Sequence, residues 1–140
     1  FVFFTNYGSH KASDLTVNPQ AALCFFWPVM YTQVRVEGET SRVSEAESDT
    51  YFASRPRGHQ LAAWASRQSA RLESRRELTL RYERTEARFG DGPIVRPPFW
   101  GGYRLRPLAI EFWHGFENRL HDRLLYRRAG GGWSCDRLQP

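Results

Sequence analysis

The chain has 140 residues, 41% of them hydrophobic and 25% charged, a composition that excludes a disordered tail and suits one domain able to bury about 68% of its unfolded surface. Its longest apolar run, Ala21 to Tyr31, is broken by Pro28 and falls short of the roughly 20 residues a membrane-spanning helix needs, so no membrane role is expected. The net charge is +5, and every basic residue except Lys11 is arginine, the planar fork suited to phosphates and carboxylates. Met30 is the sole methionine, so the protein is expected to continue upstream of Phe1. Cys24 and Cys135 lack CxxC spacing, which points to reduced, buried thiols and a cytoplasmic location. His10, His59, His114 and His121 show no H-x-x-x-H pairing, so no metal is expected.

In chain order, Phe1 to Thr5 reads as a strand closed by the turn Asn6-Tyr7-Gly8-Ser9. Ser13 to Asn18 suggests one short helical turn, ended by Pro19. Ala21 to Trp27 reads as a buried strand stopped by Pro28. Thr32 to Val43 alternates, with Val34 and Val36 facing a core and Gln33, Arg35 and Glu37 facing away. Ser44-Glu45-Ala46-Glu47 is a capping box opening a helix that runs to about Ser54 and stops before Pro56. Further helices are expected at Gly58 to Ser66 and Glu73 to Phe89. The second of these interleaves Glu73, Glu77, Glu83 and Glu86 with arginines, the mark of a solvated face rather than a nucleic-acid stripe. After a Gly/Pro-rich loop, strands are expected at Tyr103 to Arg106, Ala109 to Trp113, Leu124 to Arg128 and Trp133 to Leu138, the last two joined at Gly130-Gly131-Gly132. Strands at both ends with helices between them imply an α+β fold, an antiparallel barrel carrying a helical excursion.

Several stretches set phosphate- or ring-binding residues beside strand ends and turns. They are Phe4-Thr5-Asn6-Tyr7-Gly8-Ser9-His10-Lys11, Gln33-Val34-Arg35-Val36-Glu37-Gly38, Tyr51-Phe52-Ala53-Ser54-Arg55-Pro56, Trp64-Ala65-Ser66-Arg67-Gln68-Ser69, Trp100-Gly101-Gly102-Tyr103, Asn118-Arg119-Leu120-His121-Asp122-Arg123 and the closing Arg137-Leu138-Gln139-Pro140. In this order they resemble the pyridoxamine 5′-phosphate oxidases, flavoproteins of the split-barrel type. The resemblance implies a single FMN-binding domain over residues 1–140, an antiparallel split β-barrel with inserted helices, lacking the family's N-terminal strands and their Arg-x-x-Leu-Leu-Lys segment. It also implies a homodimer with FMN at the subunit interface.

By the same resemblance, Phe4, Thr5, His10, Lys11, Gln33, Gln68, Ser69, Trp100 and Arg123 would contact FMN. Lys11 and Arg123 are cations suited to its phosphate; Gln33 and Gln68 offer both donor and acceptor to the ring edge. Tyr51, Arg55, His59, Arg119 and His121 would bind a phosphorylated pyridine substrate, with Arg119 and His121 the catalytic pair. Tyr51 and Arg55, four apart, are expected on one helix face. Arg119 and His121, two apart in a strand or tight loop, are expected to share a face. The implied reaction is oxidation of pyridoxamine 5′-phosphate or pyridoxine 5′-phosphate to pyridoxal 5′-phosphate, with O2 reduced to hydrogen peroxide. Two positions depart from the family pattern: His10 replaces an arginine in Ser-Arg-Lys, and His59 replaces a serine on the substrate phosphate. The latter keeps open a related oxidase acting on a ring without phosphate, such as a phenazine precursor. A non-catalytic flavin- or pyridoxal-phosphate-binding protein is the other alternative.

Overall fold

A computed structural model describes residues 1–140. The elements in chain order are β1 (Val2–Asn6), α1 (His10–Val17), β2 (Gln20–Trp27), β3 (Thr32–Arg42), α2 (Glu45–Ser54), α3 (Arg57–Ala65), α4 (Arg75–Phe89), β4 (Trp100–His114), a 3-10 turn (Glu117–Arg119), β5 (Asp122–Ala129) and β6 (Gly132–Leu138). The strands form a six-stranded antiparallel sheet in the order β2-β3-β4-β5-β6, with β1 also paired to β4. The chain divides into two compact units, one of Phe1, Pro19–Thr40 and Leu105–Pro140, the other of Val2–Asn18 and Ser41–Arg104.

In the first unit, Val36 pairs with Leu23 on β2 and is fully buried, as its place in the alternation requires. Leu105 and Leu125 complete the buried apolar set. Gly38 is required by close approach, since a Cβ there would lie 2.0 Å from the Arg106 carbonyl oxygen. Three expectations are corrected. Cys24 and Cys135, expected to be buried, are both exposed. Pro107 does not divide two strands: β4 runs through it for 15 residues, because a proline is tolerated in a strand where no ladder bond needs its N–H. Nor is β2 buried. Phe25, Phe26 and Trp27 are 38%, 52% and 43% exposed, because β2 is the last strand of the sheet order and only β3 covers its flank.

The second unit sets four helices against β1 and the start of β4. Its core is Phe52, Leu61, Ile94 and Trp100, with Phe4, Ala63, Trp64, Tyr82 and Phe89 packed around it. Burying a side chain the size of Phe52 or Leu61 contributes about 1.5–3 kcal/mol. Helix starts follow their caps. Ser44 Oγ accepts from the Glu47 N–H at 3.1 Å, and Ser74 Oγ from that of Glu77 at 3.2 Å. The Glu47 carboxylate does not close the capping box; it binds Arg104 at 2.8 and 2.9 Å. Helix α1 is longer than the expected turn from Ser13, because buried Ser9 caps it by accepting from the Ala12 N–H at 3.3 Å.

Candidate functional site

Ten of the expected site residues lie in the helical unit. Phe4 on β1 stacks on Tyr51 of α2 with ring centroids 3.8 Å apart, and on Trp100 at 5.4 Å, the planes within 11° in both pairs. This slab has a cation on it. The Arg55 guanidinium lies over the Trp100 ring, 4.7 Å from its centroid, and 5.7 Å from that of Phe52. Arg55 does not share a helix face with Tyr51 as the four-residue spacing suggested. It is the residue after α2, extended at φ −75° and ψ 148°, because the ring of Pro56 excludes the helical conformation from the residue before it.

Arg55 is set apart by a buried donor that has no partner, its Nη1. Burial pulls its pKa below the usual arginine value, with Tyr51 opposing. An unmade bond to a buried charged donor costs about 1–3 kcal/mol or more, which an anion would recover. A cavity of about 200 Å³ adjoins it, lined by Asn6, Ala62, Ala63, Ser66, Gln68 and Trp100. Gln68 is oriented by β1: its Oε1 accepts from the Thr5 hydroxyl and from the Asn6 N–H, both at 3.1 Å, so its Nε2 is the end left for a ligand. Thr5 is 2% exposed, and its hydroxyl serves this bond. Ser69 follows with a left-handed φ of 68°. His10 and Lys11 are exposed in the first turn of α1, which holds no acid; Lys11 Nζ is 5.7 Å from the Phe3 ring centroid. His59 is exposed in the first turn of α3. Asn6, whose Oδ1 accepts from the Gly8 N–H at 2.8 Å, belonged in the sequence only to a turn, and nothing there marked it as cavity lining.

Four expected residues lie in the other unit. Gln33 is half-buried on β3 opposite Phe26. Arg119 and His121 are not on a strand, so period-two reasoning does not apply. Asn118 and Arg119 both take left-handed φ values, 56° and 61°. His121 is set by its loop: Nδ1 accepts from the Phe116 N–H at 3.1 Å, and the ring lies 4.8 Å from that of Trp113. The backbone donor makes Nε2 the proton-bearing nitrogen of the neutral ring.

Arg123 is not a free phosphate cation. Its Nε donates to Glu111 Oε1 at 2.8 Å and its Nη1 to the Gln139 carbonyl at 3.1 Å. Glu111, 6% exposed, also accepts from Arg35 Nη2 at 3.1 Å. One buried carboxylate thus joins β3, β4 and β5. The Arg123 bond, and more weakly Arg35, hold its pKa below the usual carboxylate value against the opposing effect of burial, and Glu111 raises that of Arg123. The sequence showed Glu111 only as one residue in an apolar strand; its partners are 76 and 12 positions away.

These arrangements coincide with two family matches. Residues 1–89 match the model for pyridoxamine 5′-phosphate oxidase, and residues 100–140 that for the pyridoxine 5′-phosphate oxidase C-terminal dimerisation region. The chain belongs to the pyridoxamine 5′-phosphate oxidase family. Within that family it is 61% identical over 140 residues to a pyridoxine/pyridoxamine 5′-phosphate oxidase of Rubrobacter xylanophilus, and 56% identical over 143 residues to one of Burkholderia cenocepacia. Both alignments take in 100% of this chain, which spans only 64% and 66% of those relatives. Among solved structures, PhzG from Burkholderia lata, crystallised with tetrahydrophenazine-1-carboxylic acid, superposes with a TM-score of 0.91 at 32% identity, over 99% of this chain and 68% of that one. A pyridoxamine 5′-phosphate oxidase-related, FMN-binding protein from Nostoc punctiforme superposes at 0.76 and 19% identity, over 99% and 72%. Fold and family agree with the antiparallel split barrel read from the sequence. No helix is long and apolar enough to cross a membrane.

Proposed function

We propose that this chain carries the cofactor- and substrate-binding residues of a cytoplasmic FMN-dependent oxidase that converts pyridoxamine 5′-phosphate or pyridoxine 5′-phosphate to pyridoxal 5′-phosphate. The observation that carries the reading is Arg55, a partly buried guanidinium with one buried unpaired N–H and a cavity beside it. A phosphate ester supplies the missing acceptor. Tyr51 and His59 are the other members of the proposed clamp.

The residues fit a phosphorylated flavin as well. The acid-free first turn of α1 offers helix N–H groups, Lys11 and His10 to a phosphate, where the helix dipole also favours negative charge. Gln68 Nε2, Gln33 and Ser69 would serve the polar ring edge, and Phe4, Thr5 and Trp100 would line its surroundings. Arg123, its charge already matched by Glu111, fits a neutral ring acceptor better than a phosphate. Bound FMN would supply the hydride acceptor, with O2 as the final oxidant and hydrogen peroxide as the reduced product. Arg119 and His121 would hold the pyridine ring, with Nε2 of His121 as the nitrogen that donates to the substrate. Their work is orientation.

A homodimer is part of this reading. It is supported by the dimerisation-region match and by the exposed row Phe25, Phe26, Trp27, Val29, Met30 and Tyr31, an apolar patch of the kind that marks interfaces. Sedimentation at micromolar concentration should show a dimer; a stable monomer binding stoichiometric FMN would refute that part. The likeness to PhzG favours one second reading, a ring substrate without phosphate. Comparison of kcat/KM for pyridoxamine 5′-phosphate and pyridoxamine decides between them. Two charge-assisted bonds to phosphate are together worth on the order of a hundredfold or more, and equal rates would transfer the assignment to the unphosphorylated ring.

A further inference from the structure

Pro56 ends α2 and leaves a donor deficit. The last carbonyls of a helix have no intrahelical partner, and here the following residue cannot continue the spiral. Gln60, in the first turns of α3, meets that deficit. Its Nε2 lies 3.1 Å from the Phe52 carbonyl, 3.2 Å from that of Ala53 and 3.0 Å from that of Arg55. The first also accepts from the Arg55 N–H at 3.2 Å, and the second lies in the last turn of α2. The third belongs to the extended residue whose side chain lies over Trp100.

We propose that Gln60 is a positioning residue of the anion site, its carboxamide fixing the backbone of Arg55 so that the guanidinium stays over Trp100 with Nη1 turned inward. An ordinary cap would need only the helix carbonyls. The bond to the Arg55 carbonyl reaches beyond the helix and holds the residue at the φ and ψ that aim its side chain. The chemistry of the donor matters too. Lysine and arginine commonly bind the last carbonyls of helices, but a cation here would place a second positive charge beside Arg55. A carboxamide supplies N–H groups without charge and leaves Arg55 the one cation lining the cavity.

This inference rests on the reading of Arg55 as a phosphate ligand, and the test separates the two. In the flavin-loaded protein, Gln60→Met keeps side-chain length and removes the donors. It should raise KM for pyridoxamine 5′-phosphate about tenfold, leave kcat within about twofold, and leave KM for pyridoxamine unchanged. In an Arg55→Leu background the same change should add nothing, since the group it positions is gone. Gln60→Asn, with its carboxamide withdrawn by one methylene, should give a smaller rise of the same selectivity and serves if the Met variant does not fold. An equal rise in KM for both substrates, a rise that persists with Leu at position 55, or no rise in a folded variant would overturn the role of Gln60. Native protein that treats both substrates alike would overturn the phosphate reading and the Gln60 proposal with it.

Discussion

Arg55 and Arg123, one from each unit, are both expected from the sequence to meet phosphate, Arg55 that of the substrate and Arg123 that of FMN. The structure makes them opposites. Arg123 lies against a buried carboxylate that it shares with Arg35, and a main-chain carbonyl takes a further donor. Arg55 faces aromatic rings, has no carboxylate, and buries an N–H that bonds nothing. The shifts differ accordingly: the pKa of Arg123 is raised by its partner and that of Arg55 is lowered by burial. A cation already neutralised serves architecture and presents little net charge, whereas one partly buried without a counter-ion can gain from pairing with an anion. Arginine count locates neither kind; the partner does.

The contrast can be broken most sharply at Arg55. Arg55→Leu should lower kcat/KM for the phosphorylated substrate about a hundredfold or more, with at most about 1 kcal/mol lost in urea, since the guanidinium gives up only its contact with the Trp100 and Phe52 rings and no hydrogen bond or ion pair. A variant that unfolds more readily while keeping phosphate selectivity would reverse the assignment. Glu111→Gln should do the opposite and cost about 2 kcal/mol, below the usual 3–5 for breaking a buried pair, because the Arg123 and Arg35 side chains remain 30% and 41% exposed. Its pH dependence has a definite sign. The folded pKa of Glu111 is depressed, so its contribution is fully present above the unfolded value of about 4.3 and is lost as pH falls through the folded one. Urea unfolding from neutral to acid pH should show native protein losing its advantage over Glu111→Gln in that window; a constant gap would deny the ion pair.

Smaller effects refine the picture. Lys11→Met should weaken FMN binding about tenfold, the loss of one charge-assisted bond at a partly solvated site, as read by flavin fluorescence. Unchanged affinity would remove Lys11 from the phosphate site. His59→Ser should change kcat/KM only a few-fold, because the histidine is exposed. The informative readout there is substrate selectivity: KM for pyridoxamine 5′-phosphate should move while that for pyridoxamine stays.

What the sequence disclosed was local or periodic. The stop at Pro56 and the caps at Ser44 and Ser74 depend on neighbours within four residues, and Val36 on strict alternation, so each could be read directly. Ser9 was legible in the same way as a cap, yet the turn reading of its segment hid it. The passage of β4 through Pro107 depends on which ladder position the proline occupies, a matter of register that no run of residues displays. The exposure of β2 depends on sheet order. In the candidate site, residue types were legible while orientation was not. The Glu111 triad and the hold of Thr5 and Asn6 on Gln68 join segments far apart in the chain, and those pairings decide which of the two arginines is paired and which end of Gln68 is left open.

The central claim is that Arg55, and not Arg123, is the anion-binding arginine. It is tested most directly by calorimetric titration of inorganic phosphate into flavin-loaded native protein, Arg55→Leu and Arg123→Leu. The account predicts a saturable phosphate site in the native protein that survives in Arg123→Leu and disappears in Arg55→Leu. Retention of the site without Arg55, or its loss with Arg123 in a folded variant, would contradict it.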